Sequence, residues 1–381
     1  MVIETKERKA MKIISALLVL LINSLLLVAC TNNHEQAKSN GKKDGKNSSD
    51  TQLIKEWKLP IVIPEGEFSK VDGWLAENQL IYTTNQEQTS NVYRYNLLSG
   101  DSVLIYKSNS PISSVKISPS KDFLLIQSLP STYQGLMTIV DLKGSELLKT
   151  SFTYYDVAIE WNPYDESKIF VSKFNEDWTF QMLLLDIKNK KTTEISLPQP
   201  FIKWTDKNDI AFINWDDNIP SLFAPLLEKN LGAEKEESLF PSVYQFTAFH
   251  NLLMTITVNE QEQSKAIYSF FDKQRAPIFT FSIPQLTKFS DWLVPFFDYN
   301  ESTDKFITFE PVKSVEVDAY SEGFKLVSYS LKNRSNNLIL DGLKNEPLSI
   351  SPLGDVVLYG NQFEKIIDLK TKKIYELFKE K

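Results

Sequence analysis

The chain has 381 residues, with 42% hydrophobic and 12% aromatic side chains, which is ample for a large buried core and excludes wholesale disorder. With 42 basic and 49 acidic residues the formal net charge is −7 and no basic stripe is present, which excludes a nucleic-acid partner. One cysteine, Cys30, and two histidines, His34 and His250, exclude an intramolecular disulfide and a thiolate- or histidine-based metal centre, and no cofactor is expected.

At the N-terminus, Lys6, Arg8, Lys9 and Lys12 precede IISALLVLLINSLLLVA at residues 13–29, the charged-then-apolar order of an export signal. Met11 followed by Lys12 offers a second start and the same reading. Leu27-Val28-Ala29-Cys30 closes the apolar run. It resembles the lipobox of bacterial lipoproteins, whose cysteine thiol takes a diacylglyceryl group before cleavage just ahead of it. At about 17 residues, with Ser15, Asn23 and Ser24 inside it, the run is at the lower limit for an uncleaved membrane span. The expected organisation is a signal peptide at 1–29, a lipidated Cys30 with a polar tether through residue 52, and a folded domain at 53–381. Two acyl chains on Cys30 would hold the protein stably to membrane lipid. Arginine occurs only at Arg8, Arg94, Arg275 and Arg334 among many lysines, isoleucines and asparagines, a bias that points to a low-GC Gram-positive source. The expected location is therefore the outer face of a Gram-positive cell membrane.

From Leu53 onward, short β-branched, aromatic and leucine-rich runs are broken by Asn, Asp, Pro, Gly or Lys, so the domain reads as nearly all strand. One unit recurs: an apolar residue, a polar turn, then a strongly apolar strand. Its first residues are Trp74, Ile117, Trp161, Trp204, Phe246, Phe297 and Ile350, spaced by 43, 44, 43, 42, 51 and 53. A second anchor follows in Tyr95-Asn96, Val140-Asp141, Leu185-Asp186, Tyr329-Ser330 and Ile367-Asp368, and reads as degraded near Leu226 and Phe270. Two turn signatures per unit give four antiparallel strands of 40 to 45 residues, a β-propeller blade. The expectation is an all-β propeller of seven units, the last two with insertions, and with anchor aromatics wedged between sheets. Residues 53–63, LIKEWKLPIVI, are an additional strand candidate that would latch the ring to its last blade. A pair of β-sandwiches, the other architecture open to such strands, accounts poorly for the regular period.

The turns Ser118-Pro119-Ser120 and Ser351-Pro352-Leu353-Gly354 look like blade turns of TolB-type propellers. With the lipobox, the polar tether and the chain length, the whole resembles the YqgU-like lipoproteins of bacilli, whose domain is described as a six-bladed propeller. The resemblance implies a fold and a location, brings no catalytic residues, and disagrees with the repeat count by one blade.

No GxSxG, GxxxxGK[ST], HExxH or paired CxxC motif occurs. His250 falls where the repeat places a turn and is expected to be a plain turn residue. Asn214-Trp215-Asp216-Asp217-Asn218 could offer oxygens to Ca²⁺ but lacks the spacing of a defined loop, and Asp298, Glu301 and Asp304 read as a solvated acidic turn. Cys30, as the lipid attachment point, is thus the sole site residue the sequence assigns. The functional expectation is a non-enzymatic binding or scaffolding module for an extracytoplasmic protein or wall polymer. The alternative is a carboxylate-based glycan hydrolase or lyase, which requires paired acids with raised pKa values at the central cavity.

Overall fold

The second strand of each repeat is a nearly continuous apolar run, and strand geometry sends its successive side chains to opposite faces of the sheet. A computed structural model describes residues 56–379 apart from 217, 219, 220, 234, 259–261 and 290. The signal segment, Cys30, His34 and the tether lie outside the described residues. Within them, seven four-stranded antiparallel sheets follow one another along the chain, at residues 67–108, 112–153, 156–194, 203–243, 245–284, 297–343 and 348–376, here sheets 1 to 7.

Alternation in the second strand sets the assembly. Leu80 and Tyr82 face sheet 7 while Ile81 faces sheet 2; Leu124 and Ile126 face sheet 1 while Leu125 faces sheet 3. Phe170, Ile210, Phe212, Ala211, Ile213, Leu253, Met254, Phe306, Ile307, Val357 and Leu358 continue the pattern. The result is seven apolar clusters, one between each pair of neighbouring sheets, including a cluster that joins sheet 7 to sheet 1. Seven sheets with seven interfaces form a closed ring, as the repeat count requires. The sandwich alternative is thereby excluded.

Anchor tryptophans seal these seams. Trp74 Nε1 donates to Ser349 O of sheet 7 at 3.1 Å, and Trp204 Nε1 donates to Glu160 O of sheet 3 at 3.5 Å. Two of the expected anchors are displaced: Phe246 pairs with Thr255 and Phe297 with Thr308, near the strand ends far from the hairpins. Phe249 and Tyr299 stand at the hairpins, opposite Leu252 and Phe306. Short runs of alternating aromatics allow either frame in the sequence, and only pairing register chooses.

The second anchor is complete in all seven sheets. The side-chain oxygens of Asn96, Asp141, Asp186, Asn230, Asp272, Ser330 and Asp368 each accept a backbone N–H from the turn that follows. Asn230 and Asp272 are the copies that read as degraded around Leu226 and Phe270. Six of these turns place one residue at positive φ, filled by Gly100 and Gly144 but also by Lys190, Arg275, Arg334 and Lys372. The insertions fall after sheet 5 and within sheet 6, one unit earlier than expected, and build a separate three-stranded sheet from Leu286–Lys288, Asp291–Leu293 and Val315–Glu316.

The segment expected to add a strand is not one. Residues 57–63 have no strand pairing; a cis Leu59-Pro60 bond lies within them, and Ile61 N donates a single bond to Leu377 O at 2.7 Å. Sheet 7 is completed by its own fourth strand, Lys373–Glu376, so the fourth-strand place that the N-terminal segment would have taken is already filled. Trp57 and Ile61 instead bury themselves in the cluster between sheets 7 and 1.

Replacing Arg334 by Gly removes an exposed L-residue from the left-handed region and is expected to stabilise the domain by about 0.5–1 kcal/mol. Gly144→Ala is expected to cost about 2 kcal/mol or more, since φ is +85° and a Cβ there would collide with the Ile105 carbonyl of sheet 1. Urea denaturation midpoints of the two variants against the parent check both signs.

Candidate functional site

The strand order gives the ring two unlike ends. Turns between strands 1 and 2 and between 3 and 4 crowd one end, the hairpin end; loops between strands 2 and 3 and the sheet-to-sheet connections occupy the other, the linker end. Every exposed aromatic side chain among the described residues, namely Tyr133, Tyr155, Trp178, Phe201, Phe289 and Phe296, is on a loop or connection of the linker end. Trp178 and Phe201 are each 61% exposed, and both touch the Phe174 ring, at 6.0 and 5.5 Å between centroids. Trp178 and Phe289 hold φ near +63° and +50°, a strained backbone for bulky residues. Next to Phe201 lies a depression of about 580 Å³ lined by Trp215, Leu222, Tyr244, Gln245, Phe246 and Asp291. Tyr244 Oη donates to Asp291, and burial followed by that carboxylate holds the phenol well above its ordinary pKa. Trp292 packs edge-on to Tyr244 at 5.0 Å, which braces the wall.

Phe201 also lines a second cavity, about 280 Å³, along the inner edges of sheets 2, 3 and 4. First strands of neighbouring sheets approach one another and the fourth strands diverge, so these inner edges border the ring axis. The cavity holds Lys116 from Ile112–Ile117, Glu160 from Asp156–Trp161, and Lys203 from Lys203–Trp204. Lys203 Nζ donates to Glu160 Oε2 at 2.7 Å. On sheet 1, Lys70 Nζ lies 3.5 Å from Asp72 Oδ1 and donates to Ser113 O of sheet 2 at 2.9 Å. Lys116 makes neither a hydrogen bond nor an ion pair among the described residues. It is exposed to cavity solvent, yet enclosure by the surrounding sheets lowers its pKa; Glu160 opposes that shift, and Lys203 and Lys70 add to it.

Among the described residues the 280 Å³ cavity holds a single carboxylate, Glu160, and the one raised carboxyl that owes part of its rise to a second acid, Glu77 beside Asp355, is in the strand 1–2 turns of sheets 1 and 7. Asp72 and Asp298 are both raised from 3.8 to about 6, each chiefly by burial, and no second carboxylate contributes to either rise. Asp72 accepts from Thr83 Oγ1 at 2.6 Å; Asp298 accepts from Ile350 N at 2.7 Å and so ties sheet 6 to sheet 7. Of the acidic turn expected to be solvated, Glu301 is exposed, whereas Asp298 and Asp304 are structural. Asp304 is 9% exposed and accepts from Ser330 Oγ and Lys332 N, while Glu301 accepts from Asn251 Nδ2 at 2.6 Å.

His250 is a hairpin turn residue, as its place in the repeat implies, and it also bridges sheets. Its ring stacks on Tyr164 of sheet 3 at 4.8 Å, and Nδ1 lies 3.7 Å from Glu301 Oε2 of sheet 6. In the Asn214–Asn218 stretch, Asp216 Oδ1 accepts from Asn218 N at 2.8 Å, an exposed local turn. Among the described residues no group of three or more His, Cys, Asp or Glu is placed to hold a metal ion. Lys116, Glu160, Lys203 and Phe201 escaped the sequence reading, because single charges in three different repeats carry no local signal. The charge immediately before each anchor, Lys116 before Ile117, Glu160 before Trp161 and Lys203 before Trp204, was the available clue.

The raised carboxyls give a signed pH dependence. Each favours folding in its protonated form, a contribution fully present below about pH 4 and lost as pH rises through about 6. Asp298→Asn is expected to flatten the fall in urea midpoint between pH 4 and pH 7 relative to the parent chain; an unchanged slope would refute the assignment.

Over 352 residues the chain is 26% identical to the lipoprotein YqgU of Bacillus subtilis (strain 168), covering 92% of this chain and 93% of that one. The crystal structure of protein lmo1340 from Listeria monocytogenes EGD-e aligns with a TM-score of 0.77 at 27% identity, covering 83% of this chain and 96% of that one. The propeller domain of a trilobed protease from Pyrococcus furiosus, at 12% identity and a TM-score of 0.54, shares the fold, covering 82% of this chain and 98% of that one. An oligogalacturonate lyase shares it equally distantly, with the same identity and TM-score over 77% of this chain and 85% of that one. The profile of the YqgU-like 6-bladed beta propeller domain matches residues 96–360, a span that contains sheets 2 to 6 whole and only parts of sheets 1 and 7. On that match, and with seven sheets where the family description counts six, the chain belongs to the YqgU-like propeller family.

Proposed function

We propose that the chain is a membrane-anchored extracytoplasmic lipoprotein, acylated on Cys30 after removal of residues 1–29, whose propeller binds a protein or wall-polymer ligand across its linker end. Residues 31–52 act as a polar tether that carries the domain clear of the lipid. The lipobox and the lipoprotein relative, matched over 92% of this chain, support the anchor.

One observation carries the binding surface: among the described residues, all the exposed aromatics are at one end of the ring. Six large apolar side chains held in water cost free energy with no return in the isolated domain, and grouped exposed apolar surface marks a site of association. The strained backbones of Trp178 and Phe289 fit the same reading, since strain persists where function maintains it. A propeller is a scaffold for many activities, so the site and not the fold supports the assignment.

Two measurements in intact cells test it. Cys30→Ser is expected to move the protein out of the membrane fraction and abolish fatty-acid labelling; retention of both would sink the anchor. A photo-crosslinking residue at position 215, on the linker end, is expected to yield adducts, whereas one at position 353, on the hairpin end, is expected to yield none. The reverse pattern overturns the proposed surface.

A further inference from the structure

We propose that the cavity along the inner edges of sheets 2, 3 and 4 binds the anionic group of an acidic saccharide, with Lys116 as its counter-charge and Phe201 as its stacking platform. This rests on the linker end being the binding surface and names the chemistry of what enters it.

Charge is the first argument. Around the cavity, Lys203 is spent on Glu160 at 2.7 Å and Lys70 on Asp72 at 3.5 Å. Among the described residues Lys116 remains unpaired, facing the same space as Glu160 and Lys203. Two lining ammonium groups, Lys116 and Lys203, against the single lining carboxylate of Glu160 leave the pocket one positive charge in excess, inside a chain whose net charge is −7. Partial enclosure raises the value of an ion pair formed there, because the surrounding medium screens it less than bulk water does. A carboxylate or a phosphate monoester satisfies an ammonium of this kind.

Shape is the second. A volume of about 280 Å³ is just under the common range for small-molecule sites and suits one ring with its substituents. Gln127 is held by Ser114, and Ser172 Oγ by Pro200 O at 2.6 Å, so the polar lining is fixed before any ligand arrives. The exposed face of Phe201 forms the wall shared with the 580 Å³ depression of Trp215 and Tyr244. A chain of sugar rings can place one anionic residue at Lys116 and continue over Phe201 toward Trp215. A bare anion uses the charge alone and gains nothing from the aromatic wall.

The test titrates the detergent-solubilised full chain, followed by calorimetry, with trigalacturonate, mannose 6-phosphate, maltotriose and inorganic phosphate. Both acidic sugars, or one of them, are expected to bind, and which one does so separates carboxylate from phosphate recognition. Maltotriose and inorganic phosphate are expected to bind about tenfold more weakly or less, each lacking one of the two interactions. Lys116→Met is expected to weaken the acidic sugar by about tenfold, while Glu160→Gln, which removes a competing negative charge, is expected to tighten it. Phe201→Ala is expected to weaken the sugars and leave inorganic phosphate unchanged. The tightening by Glu160→Gln cannot come from misfolding, and melting curves of the other variants control for it. Equal binding of maltotriose, an unchanged Lys116→Met, or no binding of either acidic sugar overturns the proposal. If the acidic sugars fail while adducts still form from position 215, the saccharide site falls and the binding surface stands. Protein adducts alone would then assign that surface to a protein partner.

Discussion

The structure depends on apolar packing between successive sheets. The seam between sheets 7 and 1 buries 14 hydrophobic side chains, each worth roughly 1.5–3 kcal/mol. Hydrogen bonds across it, such as Trp74 Nε1 to Ser349 O and Val71 N to Gln362 O, contribute about 1 kcal/mol each. The apolar term is larger by about an order of magnitude, even after allowance for a compact unfolded state. Because the second strand of each sheet feeds both of its seams, no sheet can be removed without exposing two apolar faces.

That constraint explains how the ring closes. Each sheet is complete in sequence order, so closure borrows no strand from the other end of the chain. Closure relies on shape and burial at one more seam, reinforced by Trp57 and Ile61 from the segment before sheet 1. The family profile spans five intact sheets and meets only the flanks of the two that close the ring. Blade number is therefore better read from the seams than from the matched span.

The two ends divide the work. At the hairpin end, side-chain oxygens of Asn, Asp and Ser hold every 3–4 turn, Ser118 and Ser351 hold the 1–2 turns of sheets 2 and 7 with their hydroxyls, and His250 of sheet 5 links Tyr164 of sheet 3 with Glu301 of sheet 6. These bonds satisfy turn backbone that packing cannot reach, and they leave little free chemistry there. Loops at the linker end are longer, carry the inserted three-stranded sheet, and present aromatic surface beside a charged cavity. A rigid scaffold with functional groups on the loops of one end is the usual way a repeat protein carries a site.

By itself the sequence determined the all-β class, the repeat, the number of sheets and the two turns per unit, because each depends on residues close together in the chain. Period-two apolar runs and Asx or Ser turns are local physics, legible at Leu124–Ile126 or Asp141 without a partner in view. The turns at Asn230 and Asp272 were missed only because their flanking residues differ from the other copies. Tertiary structure alone decided the anchor frame at Phe249 and Tyr299, the burial of Asp298 and Asp304, and the packed, unpaired course of residues 57–63. It also decided the meeting of Lys116, Glu160 and Lys203, each an ordinary surface charge in its own repeat. The physical reason is that a ring brings the first strand of every unit to a common axis, so the central cavity is a product of closure and belongs to no single stretch of chain.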